Sequence, residues 1–459
     1  QLSTSDRNNP TLSGRYSDDY RLTGLSAGQQ IRLDMTSSFD TYLQLVNEST
    51  GQVIAENDDS NGTRNSQINL TVQAGVSYIA RATSYSSGVT GNYNISLTGS
   101  QVSDWFDQNI RDTELRSEIR NRMTDGSLDR NDMIAIFRNA RDGSTIDGNE
   151  LTDLRTLVNN TDRISMQEPV RVLSRKIANG NIANGRAGIG NLVASSSSSQ
   201  MDRLIDKWFL GTIRPTTTNS NFTYRFASGS LFQNGISQDD VRQSTALNNC
   251  YFMAGLATTA LRQSNTIQNM FIDNGDGTFT VRFYDVTNQV ADYVTVDKYL
   301  PVDTYGRFVY ANRGSLHNDQ NNELWVALAE KAYAQFNESD TTNQIGRNNN
   351  DRNSYYGIEW GFANVALTNI TGSRSNSFSD FNLNGLLNQI NAARPIIVNS
   401  KSSGVLPSIV PSHSYTLTSY DSQTQKFRLF NPRVGSTQPR NIDMIIEQLR
   451  LYFSGWIYI

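Results

Sequence analysis

The chain has 459 residues, of which 37% are hydrophobic and 18% are charged, and its formal net charge is −4. This length suggests about three domains, and the hydrophobic content excludes a disordered chain. The acidic balance, without any cluster of Lys and Arg, predicts no nucleic-acid binding. No run of about 18 apolar residues is present, so the sequence predicts no membrane span.

Residues 1–100 alternate apolar and polar positions in short runs that are separated by turn residues, a pattern typical of an all-β antiparallel sandwich. Three segments carry a resemblance: Asp18–Leu22 (DDYRL), Phe39–Leu43 (FDTYL) and Ala55–Asp59 (AENDD). With them the region resembles the bacterial pre-peptidase C-terminal domain. That resemblance implies a jelly-roll-like module of the kind found beside secreted peptidases.

Residues 101–165 place apolar side chains at helical spacing and predict a small α-helical segment with two acidic turns. With Gly126 at the sixth position of an EF-hand loop, Asp125, Asp129 and Asp132 fall at the fifth, ninth and twelfth positions. The first and third positions lack carboxylates. Helix caps are the alternative explanation of these aspartates, and we favour it.

Residues 166–200 contain two Asn-Gly pairs, two further glycines at 188 and 190 and a run of five serines, which predicts a flexible linker. From residue 201 the chain is again rich in Trp, Tyr and Phe. A separate domain is therefore predicted over residues 201–459.

Cys250 is the only cysteine of the chain, and His317 and His413 are the only histidines. A polar turn before Cys250 gives way to an apolar helical run, so the thiol is expected at a helix start. The positive end of the helix dipole there favours a thiolate, the form that acts as a nucleophile. Taken alone, a cysteine at this position is more often a packing residue.

Six blocks of the chain favour a catalytic cysteine over a packing residue. They are residues 240–256, 296–302, 322–334, 366–372, 412–417 and 427–432. In this order, the blocks resemble the papain-like core of the calpain family of cysteine peptidases over about 230 residues. The resemblance implies an α+β protease fold for residues 201–459, in a multidomain protein.

The resemblance also implies the roles of four residues. Cys250 would be the nucleophile, and His413 would be the base that accepts its proton. Asn431 would orient the imidazole, and the side chain of Gln243 would donate a hydrogen bond to the oxyanion.

The chain departs from the family pattern at three places. Gln243 lies seven residues before the cysteine, where the family has six. Asn248-Asn249 replaces the usual Gly-Asp before the cysteine. Arg433 follows Asn431-Pro432 where the family commonly has Trp.

Calcium is the regulator that the resemblance implies, with Asp240 and Glu330 as oxygen ligands. The alternatives are a cap at Asp240 and a surface ion pair at Glu330. No organic cofactor is predicted.

We therefore expect a bacterial calpain-like cysteine endopeptidase that acts on proteins or peptides, is regulated by calcium and processes itself in the linker. A secreted or cell-surface location is favoured over a cytoplasmic one, because Asn, Ser, Thr and Gly are abundant. The alternative function is a catalytically impaired surface binding or adhesion module, and transfer of the acyl group to an amine is a third. The sequence leaves the oligomeric state open.

Overall fold

The computed structural model describes residues 1–100, 105–339, 353–435 and 437–459, and these divide into two compact units, Gln1–Asn109 and Ile110–Ile459. The start of the predicted helical segment, at residue 101, lies outside the described residues. The predicted division into domains stays a prediction. Within the described ranges, no helix combines the length and apolar character that a membrane crossing requires.

The first unit contains two antiparallel sheets and one short helix. Their strands follow the alternation of apolar side chains in the sequence, as in β2, where Ile31, Leu33 and Met35 are buried. The sheet orders are β1-β6-β3-β4 and β5-β2-β7. The elements are β1 (Ser17–Leu22), β2 (Gln30–Ser37), β3 (Thr41–Asn47), β4 (Val53–Asn57), β5 (Ser66–Thr71), β6 (Tyr78–Ser84), β7 (Tyr93–Ser100) and α1 (Trp105–Asn109).

One core joins the two sheets of this unit. Ile31 and Leu33 of β2 pack in the same cluster as Leu43 and Leu45 of β3, which belongs to the other sheet. A jelly-roll-like connection of these strands, and the pre-peptidase relationship, remain predictions.

The second unit begins with helices. They are α2 (Thr113–Arg122), α3 (Arg130–Asn139), α4 (Gly148–Asn159), α5 (Glu168–Ala178), α6 (Ile182–Arg186) and α7 (Ser198–Ile205). Residues 166–200, predicted as a flexible linker, are therefore largely folded, and that prediction is wrong for this segment. The reason is that α5 is amphipathic: Val170, Leu173 and Ile177 share one face and are buried.

The remainder of the second unit mixes helices and antiparallel strands. Its elements are β8 (Thr223–Phe226), α8 (Cys250–Arg262), α9 (Ser264–Gln268), β9 (Phe271–Asp273), β10 (Thr278–Tyr284), β11 (Ala291–Asp297), β12 (Tyr299–Val302), α10 (Trp325–Phe336), α11 (Ala363–Thr371), β13 (Asn376–Phe378), α12 (Leu383–Asn391), β14 (Ile396–Ser400), β15 (Ser414–Asp421), β16 (Lys426–Phe430), β17 (Asn441–Met444), α13 (Ile446–Tyr452) and β18 (Phe453–Tyr458). A π-helix at Asp206–Leu210 and short 3-10 helices, including Gln238–Asp240 and Asn337–Ser339, connect them.

The largest sheet has six strands in the order β13-β18-β14-β15-β16-β17. Helix α8 packs against it. Thr258 of α8 exchanges hydrogen bonds with the backbone of Ile396 in β14, and Thr416 of β15 donates to the carbonyl of Ala254 at 3.2 Å. These contacts fix the start of α8 beside the start of β15.

Helix α8 also packs closely against α11. A Cβ on Gly255 would lie 2.9 Å from Cδ1 of Ile370, so the absence of a side chain permits the close approach of the two helices. All α8 residues from Cys250 to Ala260 are buried. The helix is therefore a rigid support for its first residue.

Candidate active site

Cys250 is the first residue of α8 and is 8% exposed. Burial raises the pKa of its thiol, although the backbone and side chain of Ser414 and the positive charge of Arg433 oppose that rise. The thiol is therefore protonated at neutral pH in this conformation. A neighbouring base must remove its proton before the sulfur can act as a nucleophile.

His413 and Asn431 meet because β15 and β16 are antiparallel neighbours. His413 directly precedes β15, and Asn431 directly follows β16. Nε2 of His413 lies 2.8 Å from Oδ1 of Asn431. The amide oxygen accepts from Nε2–H, which leaves Nδ1 as the nitrogen that can accept a proton.

The free nitrogen of His413 is enclosed. Within the described residues, Nδ1 is buried and has no hydrogen-bond partner. Burial lowers the pKa of His413 to about 3, the charge of Arg433 lowers it further, and the bond to Asn431 opposes the change. The imidazole is therefore neutral at neutral pH, as a general base must be.

Cys250 and His413 line the same cleft, which has a volume of about 220 Å³. Its walls come from the start of α8, the segment that leads into α11, and the six-stranded sheet. Ser412, directly before His413, has a φ of 50°, an uncommon angle for a residue with a side chain. The other lining residues are Asn248, Tyr251, Trp360, Gly361, Phe362, Ala363, Asn364, Asn399, Ser400, Ser414 and Ile457.

Residues 208–434, which contain this cleft, match the sequence profile of the calpain family of cysteine proteases. This part of the chain belongs to the calpain family. The calpain-type cysteine protease DEK1 of Zea mays is 30% identical over 145 residues, which are 31% of this chain and 6% of the maize protein. Calpain-8 of Mus musculus is 31% identical over 110 residues, which are 23% of this chain and 14% of the mouse protein. The chain therefore matches only a small share of the length of these relatives.

The calpain-family region contains Gln243, but the structure buries it away from the cleft lining. Its Nε2 donates to the carbonyl of Leu247 at 3.0 Å. Its backbone pairs with the segment after Asn431, through N–H to Pro432 at 2.8 Å. The additional residue between Gln243 and Cys250 lengthens this loop, and the oxyanion role of Gln243 stays a prediction.

Asn249, which stands where the family has Asp, is bound to an acidic partner. Its Nδ2 donates to Oε1 of Glu330 at 2.7 Å, and Oε2 of Glu330 accepts from the backbone N–H of Ala311 at 2.8 Å. Burial raises the pKa of Glu330 to about 7. Glu330 thus anchors the loop before Cys250.

Asn248 links two segments that lie far apart in the chain, at Glu359 and at Arg433. Its backbone N–H and Nδ2 both donate to Oε1 of Glu359, at 3.1 and 3.2 Å. Its Oδ1 accepts from Nη2 of Arg433 at 3.3 Å, and the backbone N–H of Arg433 donates to Oδ1 of Asn431 at 3.0 Å. The asparagine and arginine departures from the family pattern therefore contact each other.

Asp240 and Glu330, the calcium ligands that the resemblance implies, both accept hydrogen bonds from protein donors. Among the described residues, no group of three or more His, Cys, Asp or Glu side chains is arranged to hold a metal ion. Glu330 is buried and both of its oxygens accept from protein donors, so the alternative of a surface ion pair is wrong, while its calcium role stays a prediction. Asp240 caps a 3-10 helix through Ser237 at 2.7 Å and accepts from the indole of Trp325 at 3.1 Å.

The EF-hand-like aspartates serve as caps. Asp129 and Asp132 form a capping box at the start of α3, and Asp125 accepts from the backbone N–H of Ser127 at 3.0 Å. This is the alternative that the sequence favoured. Their carboxylates are satisfied by backbone N–H groups.

Sequence reasoning did not select Glu323, which faces Asp240. Burial raises the pKa of Glu323, and the neighbouring charge of Asp240 raises it further. Both line a cleft of about 420 Å³ that is rich in Asn and Asp side chains, including Asp239, Asn312 and Asp319. Two facing carboxylates among amide oxygens form a donor set that suits a hard cation such as Ca²⁺.

The cleft at Cys250 continues into a wider groove of about 450 Å³. Asn364, Asn399 and Ile457 line both. The groove is bordered by Phe378, which is 44% exposed and stacks on Trp456 at a centroid distance of 4.8 Å. An extended chain that leaves the cleft on this side would meet an aromatic surface.

Proposed function

We propose that the chain is a cysteine endopeptidase that hydrolyses peptide bonds in proteins through a Cys250, His413 and Asn431 site. The observation that supports this most directly is the 2.8 Å contact of His413 with Asn431, because it leaves Nδ1 free on a residue that shares a cleft with Cys250. Membership of the calpain family supports the same chemistry. A catalytically impaired binding module is not favoured.

In the proposed reaction, Nδ1 of His413 accepts the thiol proton as the sulfur attacks the carbonyl carbon of the scissile bond. The backbone N–H of Cys250, at the helix start, suits the developing oxyanion. His413 then returns the proton to the leaving amine as the C–N bond breaks, which leaves a thioester. Water attacks the thioester, gives its proton to His413, and the thiol is restored.

The charge of Arg433 acts on both partners of this transfer. It favours the thiolate of Cys250 and disfavours the imidazolium of His413. Burial also favours the neutral thiol of Cys250 and the neutral imidazole of His413. We therefore expect the proton to pass from the sulfur to His413 when substrate has entered and the attack begins.

Cleavage of casein, together with labelling by an epoxysuccinyl peptide, tests this proposal. Cys250→Ser and His413→Ala should each abolish both reactions. His317→Ala is the matched control, since it removes the other histidine of the chain, and it should retain both. Cleavage that persists in Cys250→Ser would contradict the proposal.

Calcium regulation is the second part of the proposal, and the facing carboxylates support Asp240 and Glu323 as the ligands in place of Glu330. The ion would neutralise both carboxylates and tie the loop before Cys250 to the start of α10. Glu323→Gln should remove the difference in casein cleavage between added calcium and added chelator. Glu330→Gln is the control and should keep that difference. The same dependence in both variants would contradict this choice of ligands.

We also propose self-processing, at a shorter segment than the whole of residues 166–200. The accessible stretch of the former linker lies between α6 and α7, where Val193 is 59% exposed. If the chain cuts itself there, Cys250→Ser should remain intact on storage. The helices on either side are expected to resist cleavage.

A further inference from the structure

Arg440 directly precedes β17 and makes an unusual number of contacts through one guanidinium. Nη1 lies within hydrogen-bond distance of three carbonyl oxygens and Nη2 within that of a fourth. The acceptors and distances are Val241 at 3.2 Å, Asn431 at 3.0 Å, Pro432 at 3.0 Å and Asp239 at 3.3 Å.

These acceptors belong to two different parts of the chain. Asp239 and Val241 lie at the short 3-10 helix that precedes the Cys250 loop. Asn431 and Pro432 follow β16 in the six-stranded sheet. One side chain therefore connects the segment leading to the proposed nucleophile with the residue that orients the proposed base.

Asn431 is held by Arg440 on both sides of its peptide backbone. The N–H of Asn431 donates to the carbonyl of Arg440 at 2.7 Å, and the guanidinium donates back to the carbonyl of Asn431. The guanidinium itself lies over the ring of Phe430 at 4.3 Å. Oδ1 of Asn431 lies 2.8 Å from Nε2 of His413, so the residue that contacts the imidazole is the one whose backbone Arg440 holds.

Only an arginine can make this set of contacts. Its planar group has five N–H donors in a fixed fork, whereas a lysine ammonium is a compact charge with three donors on one atom. Four carbonyls spread over two segments therefore require the arginine geometry.

We propose that Arg440 is a positioning residue for the reaction: it fixes Asn431, and through it His413, relative to the segment that leads to Cys250. The proposal rests on the proposed peptidase function. Arg440 touches neither the thiol nor the imidazole, so its effect is on geometry.

Arg440→Ala should lower kcat for a peptide substrate by about 10²-fold, the size expected when reacting groups are displaced by about 1 Å. KM should stay within about twofold, because substrate binding is not altered. Methylguanidinium added to Arg440→Ala should restore part of kcat, and Arg440→Lys should fall between the two. A residue that only supported folding would not give this separation of kcat from KM, nor the rescue.

Arg428→Ala is the matched control, since Arg428 lies on the adjacent strand of the same sheet and pairs with Asp443 at the surface. Equal kcat in Arg440→Ala and Arg428→Ala, with both folded by circular dichroism, would overturn the proposal. If Arg440→Ala does not fold, kcat and KM of Arg440→Lys test the proposal instead, because this variant keeps the charge and the contact with Phe430.

Alkylation of Cys250 by iodoacetamide separates this proposal from the peptidase proposal. It requires no peptide hydrolysis, yet it depends on a base beside the thiol. Slower alkylation in Arg440→Ala than in Arg428→Ala supports the positioning role even if casein is not cleaved. Equal alkylation rates would count against it.

Discussion

Oδ1 of Asn431 accepts from Nε2 of His413 at 2.8 Å, and this contact determines which imidazole nitrogen carries the proton. With Nε2–H held by the amide, Nδ1 keeps its lone pair. Nδ1 is buried without a partner among the described residues, and His413 lines the same cleft as Cys250, so we expect Nδ1 to be the atom that accepts the thiol proton.

Asn431→Ala should therefore lower kcat by about 10²-fold, within the range that general-base catalysis contributes, because the imidazole loses its fixed tautomer and orientation. Asn441→Ala removes an exposed asparagine from the neighbouring strand and should leave kcat unchanged. Steady-state cleavage of a fluorogenic peptide measures both. Equal kcat values in the two variants would show that Asn431 does not orient the base.

The low pKa of His413, about 3, makes a second prediction about stability and pH. Between its unfolded value near 6.5 and about 3, the unfolded chain binds a proton at this residue and the folded chain does not. His413 should therefore reduce the free energy of unfolding as pH falls through this window, by at most about 1.4 kcal/mol for each pH unit. Its contribution to stability is fully present only above that window.

Urea unfolding of the wild type and of His413→Gln between pH 4 and 7 measures this term, with His317→Gln as the control. The difference between wild type and His413→Gln isolates it, because Glu330 has a raised pKa and acts with the opposite sign. A proton on Glu330 favours the folded chain between about pH 4.5 and 7, so its term grows as pH falls. Parallel stability curves for wild type and His413→Gln would contradict the prediction.

The pairing of His413 with Asn431 could be predicted because both residues lie in blocks that resemble the calpain family, and the resemblance implies that they meet. The contacts of Glu359 and Arg440 could not, since both act on residues far away in the chain and neither has a local signature. The linker prediction failed for a different reason. Asn, Gly and Ser dominate the composition of residues 166–200, but a few apolar positions such as Leu173 and Ile177 suffice to fold α5.

The choice between Glu323 and Glu330 as the proposed calcium ligand shows a further limit of prediction from the sequence. Both glutamates lie in one matched block, and sequence resemblance alone selects the block rather than the carboxylate. Our proposal of Glu323 rests on exposure: Glu330 is 1% exposed and both of its oxygens accept from protein donors, whereas Glu323 lines an open cleft beside Asp240.

Phe378 provides a prediction about substrate binding. Its exposed ring borders the groove that continues from the cleft at Cys250, so an extended substrate that occupies the proposed site should bury it. Phe378→Ala should raise KM for a peptide of eight or so residues and leave kcat nearly unchanged, because the contact is the same in the ground state and the transition state. Tyr305→Ala, which removes a ring that is 77% exposed, is the control. An unchanged KM in Phe378→Ala would exclude this groove as a binding site.

The last prediction concerns stability. It is based on a contact between the helical part of the second unit and its sheet-bearing part. Lys207 and Glu338 form an ion pair in which both side chains are 0% exposed. Burial lowers the pKa of Lys207 and raises that of Glu338, so each charge depends on the other. Nζ of Lys207 also lies 5.0 Å from the ring centroid of Trp208. Lys176 lies 4.4 Å from the centroid of the same ring and forms an ion pair with Asp292.

Lys207→Met should lower the free energy of unfolding by about 3 to 5 kcal/mol, because it leaves the carboxylate of Glu338 buried without its partner. The double variant Lys207→Met/Glu338→Gln should recover most of that loss, since neither member of the pair then carries a buried charge. Arg428→Met breaks an exposed pair and should leave stability unchanged within error. Denaturant unfolding of the wild type, Lys207→Met, Glu338→Gln and the double variant gives the coupling between Lys207 and Glu338. A double variant no more stable than Lys207→Met would mean that the loss comes from packing around Trp208 rather than from the unpaired charge.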